Sequence, residues 1–270
     1  MTTADVTALN GLVIVEGGVD TRFGQDMAVG DVNGDQIDDL LIGARSEGQV
    51  FVVYGRKNLG GATLNVSTLT ADTGARIFTE NEDAINFGNA MAVGNVNGDA
   101  YPDLLIAARS VMSNGATDLG AVYVIFGQAG GLGTVSLNID KLPDDRLVVL
   151  TGKTGDTSVG TDLAVGDVNG DGIDDILATA YRSLQAFVVY GRKGLANLVV
   201  QDVTPSTGVV IYMDSPREWR GDSANLPCVI ADVTGDGTPI KKKKKKGRRR
   251  RRRIRRRKGG GKELSGDVRD

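Results

Sequence analysis

Asp31-Val32-Asn33-Gly34-Asp35-Gln36-Ile37-Asp38-Asp39, running into Leu40-Leu41-Ile42, decides the fold of this chain because the pattern is written three times. The second copy reads Asn95-Val96-Asn97-Gly98-Asp99-Ala100-Tyr101-Pro102-Asp103. The third reads Asp167-Val168-Asn169-Gly170-Asp171-Gly172-Ile173-Asp174-Asp175. Each loop begins eight residues after the first residue of an opening pair, Phe23-Gly24, Phe87-Gly88 or Val159-Gly160. Each copy closes on an apolar-aromatic-Gly run: Val52-Val53-Tyr54-Gly55, Val124-Ile125-Phe126-Gly127 and Val188-Val189-Tyr190-Gly191. A fourth copy starts at Val229-Ile230-Ala231-Asp232-Val233-Thr234-Gly235-Asp236 and breaks off. From loop to loop the spacing is 64, 72 and 65 residues. The extra residues of the middle interval fall between Ala108 and Val122, where an exposed turn absorbs them and leaves the register intact.

The apolar runs around each loop are short and rich in β-branched and aromatic residues, as in Gln49-Val50-Phe51-Val52-Val53-Tyr54 and Gly120-Ala121-Val122-Tyr123-Val124-Ile125-Phe126. They are nearly continuous rather than alternating, which predicts strands buried on both faces. About 65 residues per copy fit four such strands. A four-stranded unit buried on both faces must stack on others like it, and radial stacking gives a β-propeller. The expectation is therefore an all-β chain, a partial propeller of about three and a half four-stranded blades. The copies span about 12–60, 76–130, 147–195 and, incomplete, 209–240.

Positions one, three, five and nine of each loop carry oxygen side chains: Asp31, Asn33, Asp35 and Asp39; Asn95, Asn97, Asp99 and Asp103; Asp167, Asn169, Asp171 and Asp175. Alternating donors on a tight turn can converge, and position seven adds a backbone carbonyl from Ile37, Tyr101 or Ile173. Hard oxygen ligands in that number suit Ca2+ better than Mg2+, which demands a stricter octahedron and keeps its waters. The plainer reading is that Asn-Gly-Asp is a hairpin turn signal. It accounts for the Asn and Gly but not for acids at positions five and nine in three copies at one phase. Up to three sites are expected. The fourth loop, at Asp232, Thr234 and Asp236, is incomplete because Ile240 stands at its ninth position. Copy two has one carboxylate fewer, and Gly172 suits a sharp sixth position better than Gln36 or Ala100 if positive φ is needed there. The expected order of affinity is thus loop three, loop one, loop two. A helix–loop–helix calcium hand is excluded, because position twelve is Ile42, Ile106 or Ala178 within an apolar run.

These residues resemble the FG-GAP repeat, which builds the seven-bladed propeller of integrin α chains. The likeness runs from about Leu12 to Ile240, and its most specific parts are the Phe-Gly pair, the D-x-N-G-D-x-x-D-D loop and the closing apolar-aromatic-Gly strand. It implies structural calcium, a protein ligand or partner subunit, and an extracellular or cell-surface setting. The second namesake motif departs from the pattern, reading Gly43-Ala44-Arg45, Ala107-Ala108-Arg109 and Thr179-Ala180-Tyr181 without proline. Three and a half repeats do not close a seven-bladed ring, so a piece of a longer protein is expected.

Composition narrows the chemistry. The chain has no histidine, which removes Ser-His-Asp and Cys-His mechanisms and His-ligated zinc. Cys228 is the single cysteine and makes no internal disulfide. Residues 1–240 hold 31 acidic and 14 basic residues, a balance of −17 (14 minus 31); residues 241–270 hold 18 basic and 3 acidic, a balance of +15. The run Lys241 to Lys258 suggests polyanion or nucleic-acid binding. Yet from Lys241 to Glu263 every residue except Ile254 is Lys, Arg, Gly or Glu, residues that purine-only codons can encode. A frameshift or read-through product explains that composition, and such a tail is expected to be disordered. The start of the chain shows no signal-peptide pattern, and no run is long enough for a membrane span. Asn65-Val66-Ser67 is an N-glycosylation sequon that suits a secreted protein.

Three functions are consistent with this reading. The first is a non-catalytic, calcium-binding propeller for recognition or adhesion. The second is the accessory propeller of a secreted hydrolase of the phospholipase D kind, whose catalytic domain is not in this chain. The third is polyanion binding through the basic tail. Small-molecule substrates and catalytic residues are not expected.

Overall fold

In a computed structural model the described residues are 11–17, 21–57, 61–111, 119–153 and 157–212. The fourth loop, Cys228 and the basic run from Lys241 lie outside them. The described chain is built of sixteen strands and three short 3-10 turns. Blade one comprises β2 (Phe23–Gly30), β3 (Asp39–Ala44), β4 (Gln49–Val53) and β6 (Gly74–Phe78), antiparallel throughout. Blade two comprises β7 (Ala84–Gly94), β8 (Asp103–Val111), β9 (Ala121–Ile125) and β11 (Leu147–Thr151). Blade three comprises β12 (Val159–Gly166), β13 (Asp175–Ala180), β14 (Gln185–Val189) and β16 (Gly208–Tyr212). The partial propeller read from the repeat is the architecture of the described chain.

The copies as bounded in the sequence, about 12–60, 76–130 and 147–195, open one strand ahead of each blade. β1 (Leu12–Val15) belongs to no complete blade; it pairs in parallel with β5 (Gly61–Asn65). The same connector recurs. β10 (Ser136–Asn138) leaves blade two to pair in parallel with β6, and β15 (Leu198–Val199) leaves blade three to pair in parallel with β11. Each third-to-fourth connection thus reaches back, adds a fifth strand to the preceding sheet, and turns through a 3-10 segment before returning. Those segments, Val66–Thr68, Ile139–Lys141 and Val200–Asp202, each bury their first residue. Asn65 and Asn138 cap the first two by accepting from the backbone N–H two residues on. The sequon asparagine is therefore also a structural cap.

Burial follows the near-continuous apolar runs: β9 is buried along its whole length, and β4 and β14 in all but their first residue. One core lies between blades one and two, around Leu41, Val50, Phe87, Ile106 and Tyr123. A second lies between blades two and three, around Leu105, Val124, Leu163, Ile176 and Phe187. Phe87 and Tyr123 meet edge to face with centroids 5.5 Å apart, a favoured aromatic geometry. A third cluster packs β1 and β5, through Ile14 and Leu64, on Ile42 and Phe51 of blade one. Glycine sets the spacing: a Cβ on Gly30 would fall onto Val93, and one on Gly94 onto Val165. A polar relay also links the three blades, from the β3–β4 turn through β7 to β12. Arg45 Nη1 donates to Asn89 Oδ1 at 2.8 Å, and Asn89 Nδ2 donates to the carbonyls of Gly160 and Thr161.

Candidate metal loops

Each oxygen-rich loop joins the first and second strands of a blade, so the three lie at one end of the described array. The β3–β4 and β13–β14 turns lie at the other. Loops one and three fold identically, bond for bond. Asp31 Oδ1 accepts from the N–H groups of Gly34 (2.6 Å) and Asp35 (3.1 Å), and its Oδ2 from Gln36 (2.7 Å). Asp167 repeats this with Gly170 (2.6 Å), Asp171 (3.2 Å) and Gly172 (2.8 Å). These bonds, that from Gly172 foremost, hold the Asp167 carboxyl below the usual carboxylate range. Asn33 and Asn169 each accept from the N–H two residues on, as do Asp35 and Asp171. The Nδ2 groups of Asn33 and Asn169 donate to Asp35 and Asp171.

Position six takes positive φ in both these loops, +68° at Gln36 and +85° at Gly172. Gly172 adopts it without strain and Gln36 does not. Loop two differs at both points. Asn95 accepts from Gly98 N at 2.9 Å, but its amide donates to the Asp99 carbonyl at 2.6 Å where an aspartate would accept. Ala100 is not among the residues with positive φ. Asn97 and Asp99 keep their turn-forming bonds.

The ninth-position acids have a role that spacing alone did not show. Asp39, Asp103 and Asp175 are fully buried, and both oxygens of each are engaged by backbone N–H groups. Asp39 takes Val32 and Gly55, Asp175 takes Val168 and Gly191, and Asp103 takes Val96, Asn97 and Gly127, all between 2.8 and 3.2 Å. Each clamps the start of its loop to the end of its blade's third strand. That is a reason for the acid independent of any cation. Burial pushes all three carboxyls up, Asp103 to about 6. Ile37, Tyr101 and Ile173, at position seven, each donate the backbone N–H to the acid of position five.

Among the described residues, no three acidic side chains gather into a group that could cage a metal ion. The donor set nevertheless fits a hard cation, being carboxylate, amide and carbonyl oxygen throughout. The ion pairs of the described residues, Lys141–Glu80 and Lys153–Asp202, lie away from the loops. Among the described residues, no loop carboxylate is recorded in an ion pair. At the other end of the array, an open polar hollow of 850 Å³ lies beside blade one, lined by Glu16, Thr21, Glu47, Phe51, Asn65 and Arg76.

Blades of this build, each with an oxygen-rich loop between its first two strands, define one type of β-propeller repeat. The FG-GAP repeat profile matches residues 23–62, 87–125 and 159–192, the first three strands of each blade, so the chain carries three FG-GAP repeats. It is 33% identical over 166 residues to the phosphatidylinositol-glycan-specific phospholipase D of Bos taurus, covering 58% of this chain and 18% of that protein. It is 26% identical over 214 residues to integrin alpha-PS2 of Drosophila melanogaster, covering 77% of this chain and 15% of the integrin. It is 29% identical over 167 residues to integrin alpha-V of Gallus gallus, covering 60% and 14%. The chain spans less than a fifth of the length of these relatives. Among the described residues no helix is long and apolar enough to cross a membrane.

Proposed function

We propose that this chain is a non-catalytic, calcium-braced recognition module whose loops bind Ca2+ and whose opposite end meets a protein partner. The observation that carries the calcium reading is the pair of matching loops at Asp31 and Asp167. Each orients oxygen donors at positions one, three and five with its own backbone, and among the described residues neither loop has a recorded ion pair. Asp31, Asn33, Asp35, the Ile37 carbonyl and Asp39 would hold the ion in loop one; Asp167, Asn169, Asp171, the Ile173 carbonyl and Asp175 in loop three. In loop two the corresponding groups are Asn95, Asn97, Asp99, the Tyr101 carbonyl and Asp103. The ion would supply positive charge between carboxylates that otherwise repel. The chain's own part is to pre-set the turn, so little ordering remains for binding. Recognition, an extracellular or surface setting and a protein partner follow from kinship with the integrins. The hollow beside Glu47 and Arg76 offers the partner a polar surface away from the metal loops.

The accessory-domain reading rests on the likeness to the phospholipase D, and it assigns the same role to these blades. The test is the thermal melt of the whole chain in EDTA, in calcium and in magnesium. At 100 times its dissociation constant, an ion that binds only the folded state adds about 2.7 kcal/mol per site. A rise of several degrees in calcium with little in magnesium supports the reading. An equal melt in all three sinks it.

A further inference from the structure

We propose that loops two and three bind calcium as a coupled pair, with Asp174 as the positioning residue between them, while loop one binds independently of both. The coupling rests on the calcium reading above and concerns how two of its sites communicate. Loop three reaches back onto loop two through position eight. Asp174 Oδ2 accepts from Asn95 N at 2.9 Å, and the Asp174 N–H donates to the Asn95 carbonyl at 3.0 Å. Blade three adds a bond beside these, from Arg192 N to the Val96 carbonyl at 2.9 Å. Ile173, at position seven, covers Gly98 so closely that a Cβ there would lie 2.7 Å from its Cδ1. The first, second and fourth residues of loop two are thus held by blade three.

Loop one and blade two meet differently. Position eight of loop two is Pro102, which has no N–H to donate and no carboxylate to accept with. Tyr101, at position seven, is 37% exposed, and nothing comes within 4 Å of where a Cβ on Gly34 would stand. Among the described residues, no hydrogen bond joins loop one to blade two. The contact there is made by the connector of blade two, where Gly131 lies close against Asn33 and Leu132 joins the core around Val32. Both junctions lie between blades of the described chain, so the contrast is internal to it. Asp174 links two loops because of the peptide it shares with Ile173. The Ile173 carbonyl is the donor that loop three would offer from position seven, and the N–H of the same planar unit holds the Asn95 carbonyl of loop two. Fixing one end of that peptide fixes the other, and a carbonyl engaged by positive charge makes its own N–H a stronger donor. The residue it steadies is the first-position donor of loop two. Loop two therefore has less left to order once loop three is filled, and by reciprocity a filled loop two favours loop three by the same factor.

The experiment is a calcium titration of the full chain followed by hydrogen exchange and mass spectrometry, which reads each loop through its own peptide. Removing two carboxylates from loop three, by Asp167→Asn with Asp171→Asn, is expected to move the midpoint of loop two protection to calcium at least about 5-fold higher, with loop one unmoved. Asp174→Pro puts at position eight the residue that loop two itself carries there, and it removes both bonds to Asn95. In that background the loop three substitutions are expected to leave the loop two midpoint where it is. Asp174→Ala, which loses only the carboxylate, should show a smaller shift than wild type. Asp174→Asn keeps an N–H and an acceptor oxygen and should show the full one. Far-UV circular dichroism checks that each variant folds. A loop two midpoint that ignores the state of loop three overturns the coupling, while protection of loops one and three by calcium still upholds the calcium reading. A shift that persists undiminished in the proline and alanine variants overturns the role of Asp174. If calcium protects no loop, the calcium reading fails and the coupling fails with it.

Discussion

Replacing Asp103 with alanine in calcium-free buffer separates what the ninth-position carboxylate does for the fold from anything it does for a cation. The side chain is 0% exposed and accepts from the N–H groups of Val96 at 2.8 Å, Asn97 at 3.2 Å and Gly127 at 2.9 Å. Alanine leaves three enclosed donors without an acceptor, at roughly 1–3 kcal/mol each. Against this, the ionised carboxylate is itself disfavoured, because burial lifts its pKa from 3.8 to about 6. Removing that charge near neutral pH returns about 3 kcal/mol. The net loss expected at about pH 8 is on the order of 3 kcal/mol, the middle of a span of roughly 0–6 kcal/mol. The penalty should grow on acidification. The folded chain binds the proton at higher pH than the unfolded chain, so wild-type stability rises as pH falls through about 6 and levels off below the unfolded value near 4. By about pH 5 the gain is on the order of 1 kcal/mol, and the alanine variant has no such gain. Urea denaturation in EDTA at the two pH values, followed by far-UV circular dichroism, measures both quantities. Stability within a few tenths of a kcal/mol of wild type at both pH values would refute the clamp. It would return the ninth acid to a role as metal ligand alone.

Asn95→Asp should raise the calcium affinity of loop two toward that of loops one and three, as titration calorimetry would register; an unchanged isotherm would mean that the first-position charge does not set affinity. Gln36→Gly should stabilise the chain by about 0.5–1 kcal/mol, since it relieves a left-handed φ of +68° that glycine adopts freely. A neutral or destabilising result in thermal melts would count against strain at that position. Asp26 is pushed up to about 6 by burial, and further by Asp162. Asp26→Asn should therefore stabilise by about 1–2 kcal/mol near neutral pH, discounted for its partial exposure, and the advantage should shrink as pH falls below 6 and wild-type Asp26 takes up its proton. Gly94→Ala should destabilise by roughly 1–3 kcal/mol by driving a methyl group into Val165.

Much of this architecture was legible in the sequence because its determinants are short and repeated. The Phe-Gly pair, the oxygen-rich loop and the closing Tyr-Gly or Phe-Gly run fix three strands per copy, and their near-continuous apolar character fixes burial on both faces. The connector strands were not legible. β10 and β15 have three and two residues, too few for a period. What marks them is a recurring local phrase, Leu64-Asn65-Val66, Leu137-Asn138-Ile139 and Leu198-Val199-Val200, each ahead of a turn and a further strand. The division of labour within the loop was also hidden. Spacing groups positions one, three, five and nine as equal donors, whereas only the fold shows that Asp39, Asp103 and Asp175 point inward onto backbone N–H groups. At position six the residue type foretold the conformation only in loop three, where Gly172 turns left-handed; Gln36 turns the same way in loop one without that signal.

The one-strand offset between repeat and blade bears on how such a chain can grow or be cut. A copy bounded as the sequence reads it, from about 76 to 130, is not the unit that folds. A new copy inserted at a repeat boundary delivers its first strand to the sheet already standing there and its next three to a sheet of its own. Every duplication is therefore spliced into its neighbour by backbone hydrogen bonds as soon as it appears. The reach-back connectors add a second seam between the same two sheets. Neighbouring blades are thus bound to melt together, and a proteolytic nick at a repeat boundary damages two sheets at once.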